Sequence, residues 1–175
     1  MSPRRREILK AARELLEAEG LDALSMRNLA ERLGIRAPSL YKHFASKDAL
    51  EAGLISQGFE EQAALFTAAL EQSDEPIVAM AEAYRDYGRH HPHLYRLMYD
   101  RSLNRDLLTP DSEDRATAPV IQAAGDDEDL TRALWAFAHG MTILELNDRF
   151  PRDADLDAAW KRGLAALQAS IPLRP

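Results

Sequence analysis

Residues 24–50 read LSMRNLAERLGIRAPSLYKHFASKDAL: two short helical patterns and the start of a third, punctuated by a single glycine. Ser25 is a residue type that caps a helix start by accepting a bond from a free backbone N–H. Met26, Leu29, Ala30 and Leu33 then recur at three- and four-residue steps, which puts them on one helical face. Gly34 can take the positive φ that ends such a helix. Pro38 suits a first helical position, and Leu40 and Phe44 give the next short helix its inward face. Ser46 caps the long helix that follows. Two helices joined this tightly need a small residue where they cross, here Ala30. They also need a glycine four residues on, Gly34, and an apolar plug six further, Leu40. That is the spacing of a helix-turn-helix.

With Leu40 and Phe44 inward, Arg36, Ala37, Ser39, Lys42 and His43 fall on or near the exposed side. Tyr41 can present its hydroxyl while its ring packs at the rim. Such side chains can donate to phosphates and base edges. The residues alone leave a second reading open, an ordinary solvated face with an incidental tyrosine.

Charge is distributed unevenly. The chain of 175 residues carries a net charge of -7. Its first 48 residues nevertheless hold ten Lys or Arg against seven Asp or Glu, and the rest holds twelve against 22. A basic head on an acidic body is a localised electrostatic footprint. Arg4, Arg5 and Arg6, at the front of the first helix, are candidates for an arm to phosphates or the minor groove; the alternative is a solvated tip. There is no cysteine, so no disulfide and no thiolate chemistry. No window approaches the apolar length of a membrane span, and the N-terminus lacks a signal-peptide pattern, so a cytoplasmic location is expected.

The rest of the chain is also helical in pattern. The expected class is all-α with about nine helices: a three-helix head over residues 1–48 and a larger helical body over 49–175. Expected helices span about 3–19, 25–33, 38–44, 47–72, 75–90, 92–100, 127–149 and 154–170, with a loop over 102–115 and a weak helix after it. Three histidines, His90, His91 and His93, straddle a proline turn and share no helical face, so no metal or cofactor is expected. Motifs for phosphate loops, dinucleotides, zinc proteases and serine hydrolases are missing, which argues against an enzyme. A helical structural or interaction protein remains as the alternative, but it leaves the basic head unexplained.

A reading helix of about seven residues is only ~10 Å long. It covers a few base pairs, too few for specificity among a genome's competing sites, so two copies and a near-palindromic operator are expected. The body offers surfaces for pairing. Leu130, Leu134, Phe137, Met141 and Leu144 form one stripe. Trp135, Ala138, Thr142 and Leu146 form another, and Leu156, Trp160, Gly163, Leu167 and Ile171 repeat the spacing near the C-terminus. A helix apolar on two faces must bury both, one within its subunit and one against a symmetry mate. The expected dimer interface is therefore Leu130, Leu134, Phe137, Met141, Leu144, Leu156, Trp160, Gly163 and Leu167. A monomer with both faces internal is the alternative. Gly140, in mid-helix, is expected at a close helix approach.

The stretch LSMRNLAERLGIRAPSLYKHFASKDAL resembles the DNA-binding head of the TetR family of bacterial transcriptional regulators, over roughly residues 5–50. More weakly, YRDYGRHHPHLYRLMYDRSL and ALWAFAHGMTILEL are similar to a subgroup of that family's C-terminal domains marked by a Trp, here Trp135, and a His-Gly pair, here His139-Gly140. The resemblance implies that Ser25 and Arg27 reach phosphates. It implies that Arg36, Ala37, Ser39 and Lys42 lie nearest the bases, and that Tyr41, His43 and Lys47 fasten the backbone. It further implies a cavity in the body for an unidentified small-molecule effector. Candidates to line it are Met80, Tyr84, Tyr87, Leu94, Met98, Trp135 and His139, although Met and aromatic stripes at helical spacing are equally the pattern of a core. The expected function is that of a ligand-responsive regulator binding double-stranded operator DNA as a homodimer, with repression adopted by analogy alone.

Overall fold

The computed structural model describes residues 1–169. All regular structure among them is helical: α1 (Pro3–Glu19), α2 (Met26–Arg32), α3 (Ala37–Tyr41), α4 (Lys47–Gln72), α5 (Pro76–His90), α6 (Pro92–Tyr99), α7 (Ser112–Ala123), α8 (Glu128–Leu146) and α9 (Leu156–Gln168). Short 3-10 turns at 21–23 and 105–107 complete it. Ile171 and the terminal PLRP lie outside the described residues.

The chain packs as two compact units. One comprises residues 1–60 and 91–112, and the other residues 61–90 and 113 onward. In the first unit, α1 starts at Pro3 because Ser2 caps it, accepting a bond from the Arg5 amide at 3.3 Å. It stops at Gly20, whose φ of 81° turns the chain. Ile8, Ala12, Leu15 and Leu16 give α1 a buried stripe. Against it lie Leu29 and Ala30 of α2, Leu40 of α3 and the Phe44 ring just beyond α3, with Leu50 and Leu54 of α4 in the same core. α6 belongs to this unit, with Leu94, Tyr95, Leu97 and Met98 all buried. The Glu17 carboxylate of α1 accepts bonds from the backbone amides of His93 and Leu94, satisfying two free donors at the start of α6.

In the second unit, α5 packs on α8 and α9, and α8 on α9. Arg85 of α5 donates to Glu145 of α8 at 3.0 Å and to Asp157 of α9 at 2.6 Å, while the Trp160 indole N–H also donates to Glu145. Burial opposes the charge on Arg85, but its hydrogen bonds to Asp157 and Glu145 outweigh that, and its pKa is raised above the ordinary arginine value. Gly163 lets α9 approach the Phe137 ring so closely that a Cβ there would overlap it.

The structure departs from the sequence-based expectation at several places. α7 begins at Ser112, inside the expected loop, and carries Pro119 within it. The last segment of α8 closes early because Asp148 takes φ 49° and the Arg149 amide donates back to the Leu144 carbonyl at 3.0 Å. Asp tolerates that left-handed conformation without the glycine that would announce it. Arg4, Arg5 and Arg6 lie within α1 and are helical, not an extended arm. A Cβ at Gly140 would meet no other described residue within 4 Å beyond its own helix, so close approach inside the subunit does not account for it.

Candidate nucleic-acid interface

The site is built on the turn between α2 and α3. Ser25 caps α2 by accepting from the Asn28 amide at 3.1 Å, and Asn28 donates to the Ala23 carbonyl at 2.8 Å. At the other end Gly34, at φ 64°, donates to the Glu31 carbonyl and the Ile35 amide to that of Ala30, both at 3.0 Å. That pair of bonds is a Schellman closure, and it turns the chain straight into α3.

α3 has only five residues, so it depends on what holds it. Leu40 and Phe44 anchor it from below, at 0% and 1% exposure. Arg5 holds its far end. The guanidinium donates to the His43 carbonyl at 2.9 Å and lies 4.1 Å from the centre of the Phe44 ring. A cation here also complements the negative end of the helix dipole. Sequence reading missed this role for Arg5 by grouping it with its neighbours as an arm. The signal was present in Ser2-Pro3, a cap followed by a first-position proline, which puts Arg5 inside the helix.

The outward residues are disposed as follows. Arg27, Arg36 and Lys42 are exposed, and Tyr41 is 52% exposed. Ser25, Ala37, Ser39 and His43 are half-buried at the rim. Lys47, at the first turn of α4, lies 3.4 Å from the Glu51 carboxylate. Ser46 caps α4 by accepting from the Ala49 amide at 3.1 Å. The head thus presents three exposed cations and a phenol around a rigid turn. Such a surface can donate to phosphates through Arg and Lys, and to base edges from a helix narrow enough for the major groove.

The residues expected to line an effector cavity divide between the two units. Met80, Tyr84 and Tyr87 are buried in the second unit. Leu94 and Met98 are instead part of the first unit's core, packed on Gly58 of α4, where an added Cβ would overlap the Met98 side chain unless it moved. Trp135 is 51% exposed and stacks with His139 along α8, so it faces outward rather than into a core. A cavity of about 250 Å³ opens in the first unit, lined by residues that include Glu51, Ile55, Leu97, Arg101 and Asn104, and none of the expected lining residues borders it.

The expected pairing surface also needs correction. Leu130, Leu134 and Trp160 are buried in their own chain, so they are not available to a second copy. Gly163 is occupied by Phe137, whose ring meets Trp160 edge-on at 5.5 Å. Phe137, Met141, Leu156 and Leu167 are half-buried, and Leu144 is exposed. Of the expected stripe on α8, Leu130 and Leu134 therefore lie inside, while Phe137, Met141 and Leu144 keep accessible surface, because α8 carries apolar residues on two adjoining stripes.

Comparison with known proteins locates the chain further. Residues 8–54 match a family model described as bacterial regulatory proteins, tetR family, and residues 77–167 match one described as tetracyclin repressor-like, C-terminal domain. The chain is 30% identical to the uncharacterized HTH-type transcriptional regulator Rv0681 of Mycobacterium tuberculosis, over 97% of this chain and 82% of the relative. Over 43 residues it is 51% identical to the class A tetracycline repressor from transposon 1721 of Escherichia coli, covering 25% of this chain and 20% of that one. Its fold is like that of a solved protein of unknown function from Rhodococcus sp. RHA1. The TM-score is 0.81 at 21% identity, with 99% of this chain and 97% of that one covered.

Proposed function

The chain belongs to the TetR family and is a DNA-binding transcriptional regulator rather than an enzyme; from that premise we propose that it is a homodimeric repressor released from a near-palindromic operator by a small-molecule effector. The observation that carries the reading is the exposed Arg36, Tyr41 and Lys42 face on a five-residue helix, braced from behind by Leu40, Phe44 and Arg5. A loop or loosely held helix would gain nothing from such bracing, whereas a reading helix must keep its side chains in register with base edges.

In this reading residues 1–48 are the DNA-reading domain and 49–175 the effector and dimerisation domain. Arg27 and Ser25 touch phosphates. Arg36, Ala37, Ser39 and Lys42 lie nearest the bases, Ala37 offering only an apolar contact such as a thymine methyl. Tyr41, His43 and Lys47 fasten the backbone. The effector binds in the second unit, where Met80, Tyr84 and Tyr87 supply an apolar wall with polar tips. α4 runs unbroken from Lys47 to Gln72, and α6 follows α5 directly, so the chain offers two covalent routes from effector to head. The effector must favour one spacing of the two reading helices by a few kcal/mol to switch them.

Pairing is supported by the open side of α8. Leu144 is 39% exposed, Gly140 has open space where a Cβ would stand, and the half-buried Phe137 and Met141 continue the same stripe. The test of the DNA reading is a salt titration of duplex binding. With several phosphates neutralised per protomer, affinity falls steeply with salt, by about 0.9 in log slope per phosphate. A flat salt response would refute it.

A further inference from the structure

We propose that Glu51 is a positioning residue for DNA binding, holding Lys47 in an ion pair whose strength is set by Arg101, two residues beyond the end of α6. The proposal deepens the DNA reading and rests on it, since Lys47 is there a backbone contact. Glu51 is 7% exposed, yet it sits one turn into α4, the helix that follows the reading helix in the chain. Its two oxygens face different cations. Oε1 is 3.4 Å from Lys47 Nζ, and Oε2 accepts from Arg101 Nη1 at 3.2 Å. Oε1 is itself buried and accepts no hydrogen bond, so the contact with Lys47 is a loose ion pair.

A largely desolvated carboxylate must be compensated. While Arg101 donates to it, most of that demand is met, and Lys47, with 42% of its side chain exposed, is free to turn to a phosphate. Withdraw Arg101, and of the two cations only Lys47 remains to answer the buried charge. The lysine is then held down on Glu51, and the local charge facing the duplex becomes more negative by one. Asp48, also at the cavity, adds to that negative field. The carboxylate borders the cavity of about 250 Å³ rather than a filled core, so the end of α6 has room to carry Arg101 away. The position of Arg101 thus converts a shift of α6 into the availability of a DNA contact.

The experiment uses the full chain and the duplex that the wild-type chain enriches from a random pool. Affinity and its salt slope are measured by fluorescence anisotropy for wild type, Arg101→Gln, Glu51→Gln and the double variant, with melting temperatures alongside. Arg101→Gln should weaken binding roughly fivefold, the size of one partly exposed charge contact. Its salt slope should fall by about 0.9, the loss of one phosphate. Glu51→Gln should bind about twofold more tightly than wild type, because the remaining hold on Lys47 is released, and identical binding would overturn the relay. In that background Arg101→Gln should change little. An equal loss from Arg101→Gln in both backgrounds would mean that Arg101 meets DNA itself, and it would overturn the relay. So would weakened binding by Glu51→Gln at an unchanged melting temperature. Should Arg101→Gln alone fail to fold, the Glu51→Gln outcome still decides. Enrichment of no duplex at all would bring down the DNA reading, and the relay with it.

Discussion

Tyr41 lies more than half exposed between Leu40 and Phe44, which are fully buried. A large aromatic held outward next to two core anchors is ready to meet something. Its hydroxyl can reach a phosphate, which carries no sequence information. Tyr41→Phe should therefore weaken binding to all duplexes alike, whereas Lys42→Ala should alter which sequences are preferred; competition assays on paired duplexes separate the two. Arg5 is the residue whose role the structure added. Arg5→Met keeps the aliphatic stem but loses the bond to the His43 carbonyl and the contact with the Phe44 ring. We expect a loss of about 1–2 kcal/mol in stability, measured by urea unfolding, and weaker DNA binding in proportion to the loosened α3. Gly163→Ala must push the Phe137 ring off Trp160 and should cost about 1–3 kcal/mol.

The short elements were the most legible. Ser25, Ser46 and Gly34 mark helix ends by chemistry that acts within three or four residues, and each performs that role in the structure. The inward set of Leu29, Ala30, Leu40 and Phe44 was equally readable, because one helical face identifies itself by spacing. What could not be read depends on partners distant in sequence. Nothing near Glu17 says that it closes the start of α6, 76 residues away. Nothing near Glu51 points to Arg101. α8 shows two adjoining apolar stripes, and only its packing with α5 and α9 decides which lies inside. The same network yields a prediction. Arg85 ties α5 to α8 and α9, so Arg85→Met leaves Glu145 with only the Trp160 N–H among the described residues and should cost about 1–3 kcal/mol of stability. DNA contacts in the head should be unaffected in variants that remain folded.

At the scale of the whole molecule, a five-residue reading helix is too small to select a genomic site by itself. In the proposed homodimer two heads act on one assembly, and the open stripe of α8 is the surface proposed to join them. Leu144→Glu changes an exposed position, so helicity should be preserved while sedimentation shifts to the monomer. Loss of the second head should then weaken operator binding by on the order of 10²-fold. The acidic body and basic head fit this division, because net negative charge limits indiscriminate adhesion while the head keeps a local attraction for phosphate. The most direct measurement is selection of duplexes from a random pool by the intact chain. A homodimer with paired reading helices selects two mirrored half-sites with centres about one helical turn, ~34 Å, apart. Recovery of unrelated sequences, or of a lone half-site without its mirror, would contradict it.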